Sequence, residues 1–368
     1  MTTIEQALCK VIDPELERTL GELGMVGTIG AGRKRIDVAV HLPGLGYQRV
    51  DELRERIVSA LDSEGFKGSI EIDFEPMSDD AQRSLAAQLT SNSTVPGNDN
   101  SRKGLGTNLG SNTRILAISS GKGGVGKSSV TVNLAVGLSA LGRKVAILDA
   151  DVYGFSVPAM LGVVVPPMAI DRLVVPPKAH GVRCLSMGYF VAEDQPVIWR
   201  GPMLHKALEQ FLTDAWWGDP DYLLVDMPPG TGDVTLSMAE YLPSCEVFVV
   251  TTPQPAAQRV AQRSAYAARK LRLSVRGVIE NMSWFTGDDG KRYELFGSGG
   301  GDSLAASLSV PLVGRIPLVS ALREGGDIGV PVTVADPSGE VSSAFAALAS
   351  SIDSMRPSRR YSSELTVK

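Results

Sequence analysis

One octapeptide, Gly121-Lys122-Gly123-Gly124-Val125-Gly126-Lys127-Ser128, limits this chain more than any other feature. It fits the spacing G-x-x-x-x-G-K-[ST] and carries a second lysine straight after the first glycine. Before it, Ile115-Leu116-Ala117-Ile118 reads as a buried strand. After it, residues 130–141 read as a helix, apolar at Val132, Leu134, Val136 and Leu138. A strand, a glycine loop and a helix start together form a cradle of backbone N–H groups suited to a triphosphate. In that cradle Lys127 reaches the β- and γ-phosphates and Ser128 binds Mg²⁺. Lys122 sits at the mouth, where a loop serving only its own nucleotide has no need of it.

The alternation around this loop predicts the fold. Short apolar runs at 114–119, 145–148, 222–225, 247–250, 275–279 and 311–316 alternate with helical stretches. That is the pattern of an α/β chain with a mostly parallel, doubly wound sheet. Ligands on such sheets sit at the carboxyl ends of the strands, and the chemistry-bearing residues fall at those ends. Asp149 and Asp151 end the second run. The first is placed to support Mg²⁺ through water. The second is placed to orient or deprotonate a water, or else to cap the next helix. Asp226 ends an apolar strand as a Walker B acid does, and the glycine-rich stretch Pro228–Asp233 reads as a switch loop. Asn281 and Pro317 close two later strands. An amide there can read an adenine edge and a proline turn can pack on the ring, or both can be simple caps and turns.

Ahead of the loop, residues 1–89 read as a small α/β domain: helix, strands, helix, strand, helix. Ile36, Val38, Val40 and Leu42 alternate as in a half-buried strand, and Val50, Leu53, Ile57 and Leu61 repeat at helical spacing. Residues 90–112 are mostly Ser, Thr, Asn and Gly with no aromatic, a composition that cannot bury enough apolar surface to offset its ordering entropy. They read as a flexible linker. The nucleotide-binding domain then spans 113–355, and 356–368 is a polar tail.

Composition excludes several classes. The net charge is −5, which argues against a general nucleic-acid binder. Cys9, Cys184 and Cys245 are far apart and odd in number, so no disulfide framework is expected. No apolar run approaches a membrane span, and the first residues lack a signal segment. A cytoplasmic protein is expected. His41, His180 and His205 lack partners at metal-ligand spacing. Trp216-Trp217 reads as core or interface.

Together these motifs resemble the Mrp/ApbC family of deviant Walker A ATPases, alongside MinD and ParA. The resemblance rests on residues 121–129, Asp149-Ala150-Asp151-Val152-Tyr153-Gly154, Trp199-Arg200-Gly201-Pro202-Met203, Asp226-Met227-Pro228-Pro229-Gly230-Thr231-Gly232-Asp233 and Glu280-Asn281-Met282-Ser283. It covers roughly 114–352. Val11-Ile12-Asp13-Pro14-Glu15-Leu16 and Leu23-Gly24-Met25-Val26 resemble the small domain that precedes many Mrp ATPases and occurs in iron–sulfur assembly factors. The resemblance implies an ATP-hydrolysing iron–sulfur cluster carrier with donor and recipient partners, working as a face-to-face homodimer. It implies nucleotide contacts from Gly121, Lys122, Gly123, Gly124, Val125, Gly126, Lys127, Ser128 and Ser129, with Lys122 crossing to the partner's phosphates. Asp151 would position water, Asp226 would support Mg²⁺, and Asn281 would read the base.

The family's C-x-x-C pair is absent. The corresponding segment, Trp284 to Gly297, contains no cysteine, so no iron–sulfur ligands are identified. Two other readings share the fold. One is a cluster-free regulatory or scaffold ATPase. The other is a positioning ATPase like MinD or ParA, which needs a membrane helix or a basic DNA-binding surface that the C-terminal residues do not offer.

Overall fold

The computed structural model describes residues 3–32, 35–91, 109–152, 154–190, 201–230 and 232–358. Most of the expected linker, the tail beyond 358, and Tyr153, Trp199, Arg200 and Thr231 of the motifs lie outside the described residues.

The first segment runs α1 (Thr3–Lys10), β1 (Val26–Ala31), β2 (Arg35–Leu42), α2 (Val50–Ser63), β3 (Ser69–Pro76) and α3 (Asp79–Ser91). β2 pairs antiparallel with β1 and parallel with β3. The parallel pair needs a crossover, and α2 supplies it. Ile36, Val38 and Val40 are buried at the two-residue period of a strand, and Leu53, Ile57 and Leu61 at the one-turn period of a helix. In the turn after α1, Asp13 accepts the backbone N–H groups of Glu15 (3.0 Å) and Leu16 (2.6 Å) and the Tyr47 hydroxyl (2.5 Å).

The chain continues through β4 (Arg114–Ser120), α4 (Lys127–Ala140), β5 (Val145–Asp149) and α5 (Val157–Met160). A hairpin of β6 (Met168–Ile170) and β7 (Leu173–Val175) follows, then β8 (Lys178–Ala179) and β9 (Val182–Ser186). Next come α6 (Gly201–Thr213), β10 (Tyr222–Asp226), α7 (Asp233–Tyr241), β11 (Glu246–Thr251), α8 (Pro255–Lys270) and β12 (Ser274–Glu280). The described part closes with β13 (Phe285–Thr286), β14 (Arg292–Tyr293), α9 (Gly300–Leu308), β15 (Leu312–Arg315), α10 (Ser320–Ile328), α11 (Val332–Ala335) and α12 (Glu340–Ser354).

Eight of these strands form one sheet in the order β15-β12-β11-β4-β10-β5-β9-β8. Every neighbouring pair is parallel except β8 with β9. The six apolar runs are all strands of this sheet. β9 is an addition: its run is broken by Arg183 and Ser186, yet all five residues are buried. The loop helix starts at Lys127, three residues before its apolar pattern does. It is buried almost all round, packed on the sheet and covered by α12. The core around it joins Leu116, Ile147, Leu224, Phe248, Phe345 and Leu348.

The chain divides into two compact units. One takes in Met1–Thr94 with Pro166–Pro177 and Asp214–Gly218, and the other takes in the rest. Met168, Ile170, Leu173, Val175 and Trp216 belong to the same buried cluster as Leu8, Leu53 and Leu89. The β6–β7 hairpin and the Trp216 strand-like segment therefore complete the core of the first unit, although they lie far along the chain. Trp216 and Trp217 are both core residues, 3% and 1% exposed.

Candidate nucleotide site

The site is built at the carboxyl ends of β4, β5 and β10. β10 lies between the other two, and its register sets Asp226 beside Asp149 on one side and Ile118 on the other. Two carboxylates thus end adjacent strands, next to the helix start that follows β4. The loop itself is shaped by close approaches. A Cβ on Gly121 would lie 2.2 Å from the Ala261 backbone nitrogen of α8, so only glycine fits there. Gly126 has φ +78° and sits against the Asn281 side chain, where a Cβ would fall 2.3 Å from Nδ2.

Asp226 is the hub. It is fully buried, and its Oδ2 accepts from Lys127 Nζ at 2.6 Å and Ser128 Oγ at 2.6 Å. Its Oδ1 accepts from Thr131 Oγ1 at 2.7 Å. Lys127 Nζ also lies 3.4 Å from Asp151 Oδ2. A buried ion pair repays its desolvation only when the remaining lone pairs are met; here two hydroxyls meet them. Thr131 was not anticipated, although it lies one helical turn after Lys127 and so shares its face. Asp151 Oδ1 is buried with no hydrogen-bond partner, which leaves one acceptor of this carboxylate unused.

Asp149 is not aimed at the lysine. Its Oδ1 accepts the Asp151 N–H (3.2 Å), and its Oδ2 accepts the Val157 N–H (3.3 Å) and the Ser186 hydroxyl (3.0 Å). It shapes the segment that carries Asp151. Burial, then the charge of Asp226, pushes its carboxyl well above the ordinary carboxylate range. Ser186 was missed because β9 does not read as a strand.

The glycine-rich stretch after β10 is held at Gly230 from two sides. Gly230 N donates to Ser120 O (2.9 Å), and Gly230 O accepts from Ser264 Oγ of α8 (3.1 Å). Asn281, 1% exposed, is set by its backbone on Thr251 O, and its Nδ2 donates to Val125 O of the loop at 2.9 Å. Its amide therefore braces the phosphate loop, and Oδ1 is left buried with no partner. Pro317 is buried, between Ile316, which bonds Glu280 and Ser283, and Leu318, which bonds Trp284 O. Lys122 is exposed and makes no ion pair among the described residues. Ser129 keeps its carbonyl on Asn133 Nδ2.

The family model for NUBPL iron-transfer P-loop NTPases matches residues 111–353, and that for iron–sulfur cluster assembly proteins matches residues 1–72. The chain belongs to the first of these families. It is 41% identical, over 96% of its length and 93% of the relative's, to an iron–sulfur cluster carrier protein of Mycobacterium tuberculosis. Its fold is shared with an Archaeoglobus fulgidus nucleotide-binding protein solved in complex with ADP. That match has TM-score 0.54 and 32% identity, over 63% of this chain and 91% of that one. A Pyrococcus horikoshii MinD complexed with Mg-ADP matches at TM-score 0.50 and 25% identity, over 66% and 96%.

The donors at the site fit the two implied groups differently. Ser128 and Asp226 present hard oxygen atoms, the kind that suits Mg²⁺, and Asp149 ends the neighbouring strand with its oxygens engaged by Asp151, Val157 and Ser186. Thiolates for an iron–sulfur cluster are not presented. Cys184 and Cys245 are fully buried, and burial pushes the Cys245 thiol up to about 12 and the Cys184 thiol well above its usual value. No group of three or more His, Cys, Asp or Glu able to hold a metal occurs among the described residues. Where the family resemblance places cysteines, the β13–β14 hairpin is stapled by Glu340. Its carboxylate accepts from Trp284 Nε1 (2.9 Å), Thr286 Oγ1 (2.8 Å) and Arg292 (3.3 Å), and Arg292 lies 4.3 Å over the Trp284 ring. No helix among the described residues is long and apolar enough to cross a membrane.

Proposed function

We propose that this chain is a Mg-ATP-hydrolysing carrier and assembly factor for iron–sulfur clusters, whose cargo is ligated by its partners and not by its own thiols. The observation that carries the ATPase part is the meeting of Lys127, Ser128, Thr131 and Asp151 around Asp226. The carrier part comes from the family and from the carrier relatives.

A triphosphate on the loop competes with Asp226 and Asp151 for the Lys127 ammonium. Lys127 then turns to the β- and γ-phosphates, and Ser128, with Asp226 and Asp149 through water, would hold a Mg²⁺ that would neutralise developing phosphate charge. Asp151, kept next to the lysine by the Asp149 contact to its backbone, orients the attacking water. Gly230, tied to Ser120 O and Ser264 Oγ, holds the loop after β10 beside the phosphate loop, where a switch loop sits in such sites. Asn281 Oδ1, an acceptor, suits the adenine 6-amino group and repels a guanine 6-oxo group. Lys122, free of ion pairs within the described residues, reaches the phosphates of a second copy in a homodimer. Three free cysteines fit work in a reducing cytoplasm.

The test is steady-state phosphate release from Mg-ATP by the purified chain. Turnover that Lys127→Ala abolishes supports the assignment; equal turnover in Lys127→Ala refutes it.

A further inference from the structure

From residue 247 to residue 279 the chain has no Asp or Glu and six basic residues: Arg259, Arg263, Arg269, Lys270, Arg272 and Arg276. The whole chain is acidic, so this is a local inversion of charge. α8 carries four of the six. Its buried face is small: Ala257, Ala261, Ser264, Ala265 and Ala268. Its opposite face exposes Arg259, Arg263, Tyr266 and Lys270 at spacings of four, three and four, one stripe about 16 Å long. Arg259, Arg263 and Lys270 make no ion pair among the described residues, whereas Arg269 and Arg276 are spent on the Leu308 and Arg356 carbonyls. Gln262 Nε2 donates to the Tyr266 hydroxyl at 3.2 Å and sets the ring, 43% exposed, between the cations.

The inner face of the same helix touches the nucleotide machinery. The Gly121 backbone abuts Ala261, and Ser264 Oγ joins the Gly230 carbonyl to Ser119 Oγ at 3.1 and 3.2 Å. Such contacts have no slack, because packed interiors transmit displacements instead of absorbing them.

We propose that the exposed face of α8 is a docking surface for an acidic protein segment, and that docking is coupled to the nucleotide state through Ser264 and Gly121. Carboxylates at one-turn spacing match the arginine forks, which bind carboxylates with two parallel hydrogen bonds. Duplex DNA is the poorer occupant: three phosphate contacts give weak, steeply salt-dependent binding, and the rest of the chain repels a polyanion. A lipid surface is poorer still, since Tyr266 is the sole aromatic of the stripe and no apolar face accompanies it. The inference concerns partner recognition and stands whatever cargo the protein carries.

The experiment uses the full chain and a fluorescein-labelled 20-residue Glu/Ala helical peptide with Glu at every third or fourth position, read by anisotropy with Mg-ATP and with Mg-ADP. Wild type is expected to bind it. R259E/R263E/K270E is expected to weaken binding by at least about tenfold, from three reversed charge contacts. Its unstimulated phosphate release should stay within about twofold of wild type, since none of the three touches the nucleotide site. A control reversal of three other exposed cations, K206E/K291E/R323E, is expected to leave peptide binding unchanged. Equal binding by wild type and the α8 variant overturns the proposal. So does tighter binding of a 20-base-pair duplex or of phosphatidylserine vesicles that the α8 variant loses. A peptide affinity that is the same with Mg-ATP and Mg-ADP overturns the coupling.

Discussion

Lys127 Nζ lies 2.6 Å from Asp226 Oδ2, inside a site where both groups are buried. The phosphate-loop lysine and the strand-end acid therefore satisfy each other, and Ser128 and Thr131 complete the carboxylate's hydrogen bonds. Lys127, Ser128 and Asp226, the residues proposed to handle Mg-ATP, thus also hold the loop and β10 together.

That double use predicts an unusual stability pattern. Lys127→Ala leaves a buried carboxylate without its cation and should cost about 3 kcal/mol in urea unfolding at pH 8. Lys127→Ala with Asp226→Asn should regain most of that loss and stay inactive, because the unpaired charge is gone but the phosphate ligand is not restored. Simple addition of the two single losses would contradict the pairing.

Asn281 is expected to serve both the loop and the base. Asn281→Ala removes the Nδ2 bond to Val125 O, so affinity for ATP and GTP should both fall, by about tenfold for a bond worth about 1.4 kcal/mol. It also removes the Oδ1 acceptor, so ATP should lose more than GTP. Equal losses, measured by titration calorimetry, would reduce Asn281 to a brace for the loop.

Lys122 should act in trans. Lys122→Ala and Asp151→Ala proteins should each be nearly inactive alone, and mixing them should restore part of the hydrolysis, since a mixed dimer holds one site with both intact groups. Absence of rescue after demonstrated subunit exchange would remove Lys122 from catalysis across an interface.

The thiols should be dispensable for the nucleotide cycle. A Cys9→Ser/Cys184→Ser/Cys245→Ser protein should keep its ATP turnover, with some loss of stability from polar hydroxyls placed at two fully buried positions. After anaerobic incubation with iron and sulfide and desalting, wild type and triple variant should retain equally little iron. Stable iron on wild type alone would show that the chain ligates a cluster itself.

Much of this was legible in the residues, for identifiable reasons. The six sheet strands announce themselves as unbroken apolar runs because both faces of a parallel sheet are covered. Lys127 and Ser128 are legible because the glycine spacing marks a loop running into a helix start, and Asp151 and Asp226 because acids follow or end apolar strand runs. What stayed hidden depends on tertiary placement. β9 is disguised by Arg183 and Ser186, so Ser186 as the partner of Asp149 was out of reach. That Asn281 also braces the phosphate loop was hidden, because its Nδ2 bond to Val125 O joins residues 156 positions apart. Nor does anything in Pro166–Pro177 or Trp216 foretell that they complete the first unit's core, since a hydrophobic pattern says that a side chain is buried and not against what.

The central claim is tested most directly by following cluster handover. An iron–sulfur scaffold protein loaded with cluster and an apo enzyme that regains activity on cluster insertion would be mixed anaerobically with this chain, with and without Mg-ATP. The account predicts faster recovery of the enzyme with the wild-type chain and Mg-ATP, and no acceleration with Lys127→Ala. Recovery that is the same with wild type, with Lys127→Ala and with no added chain would contradict it.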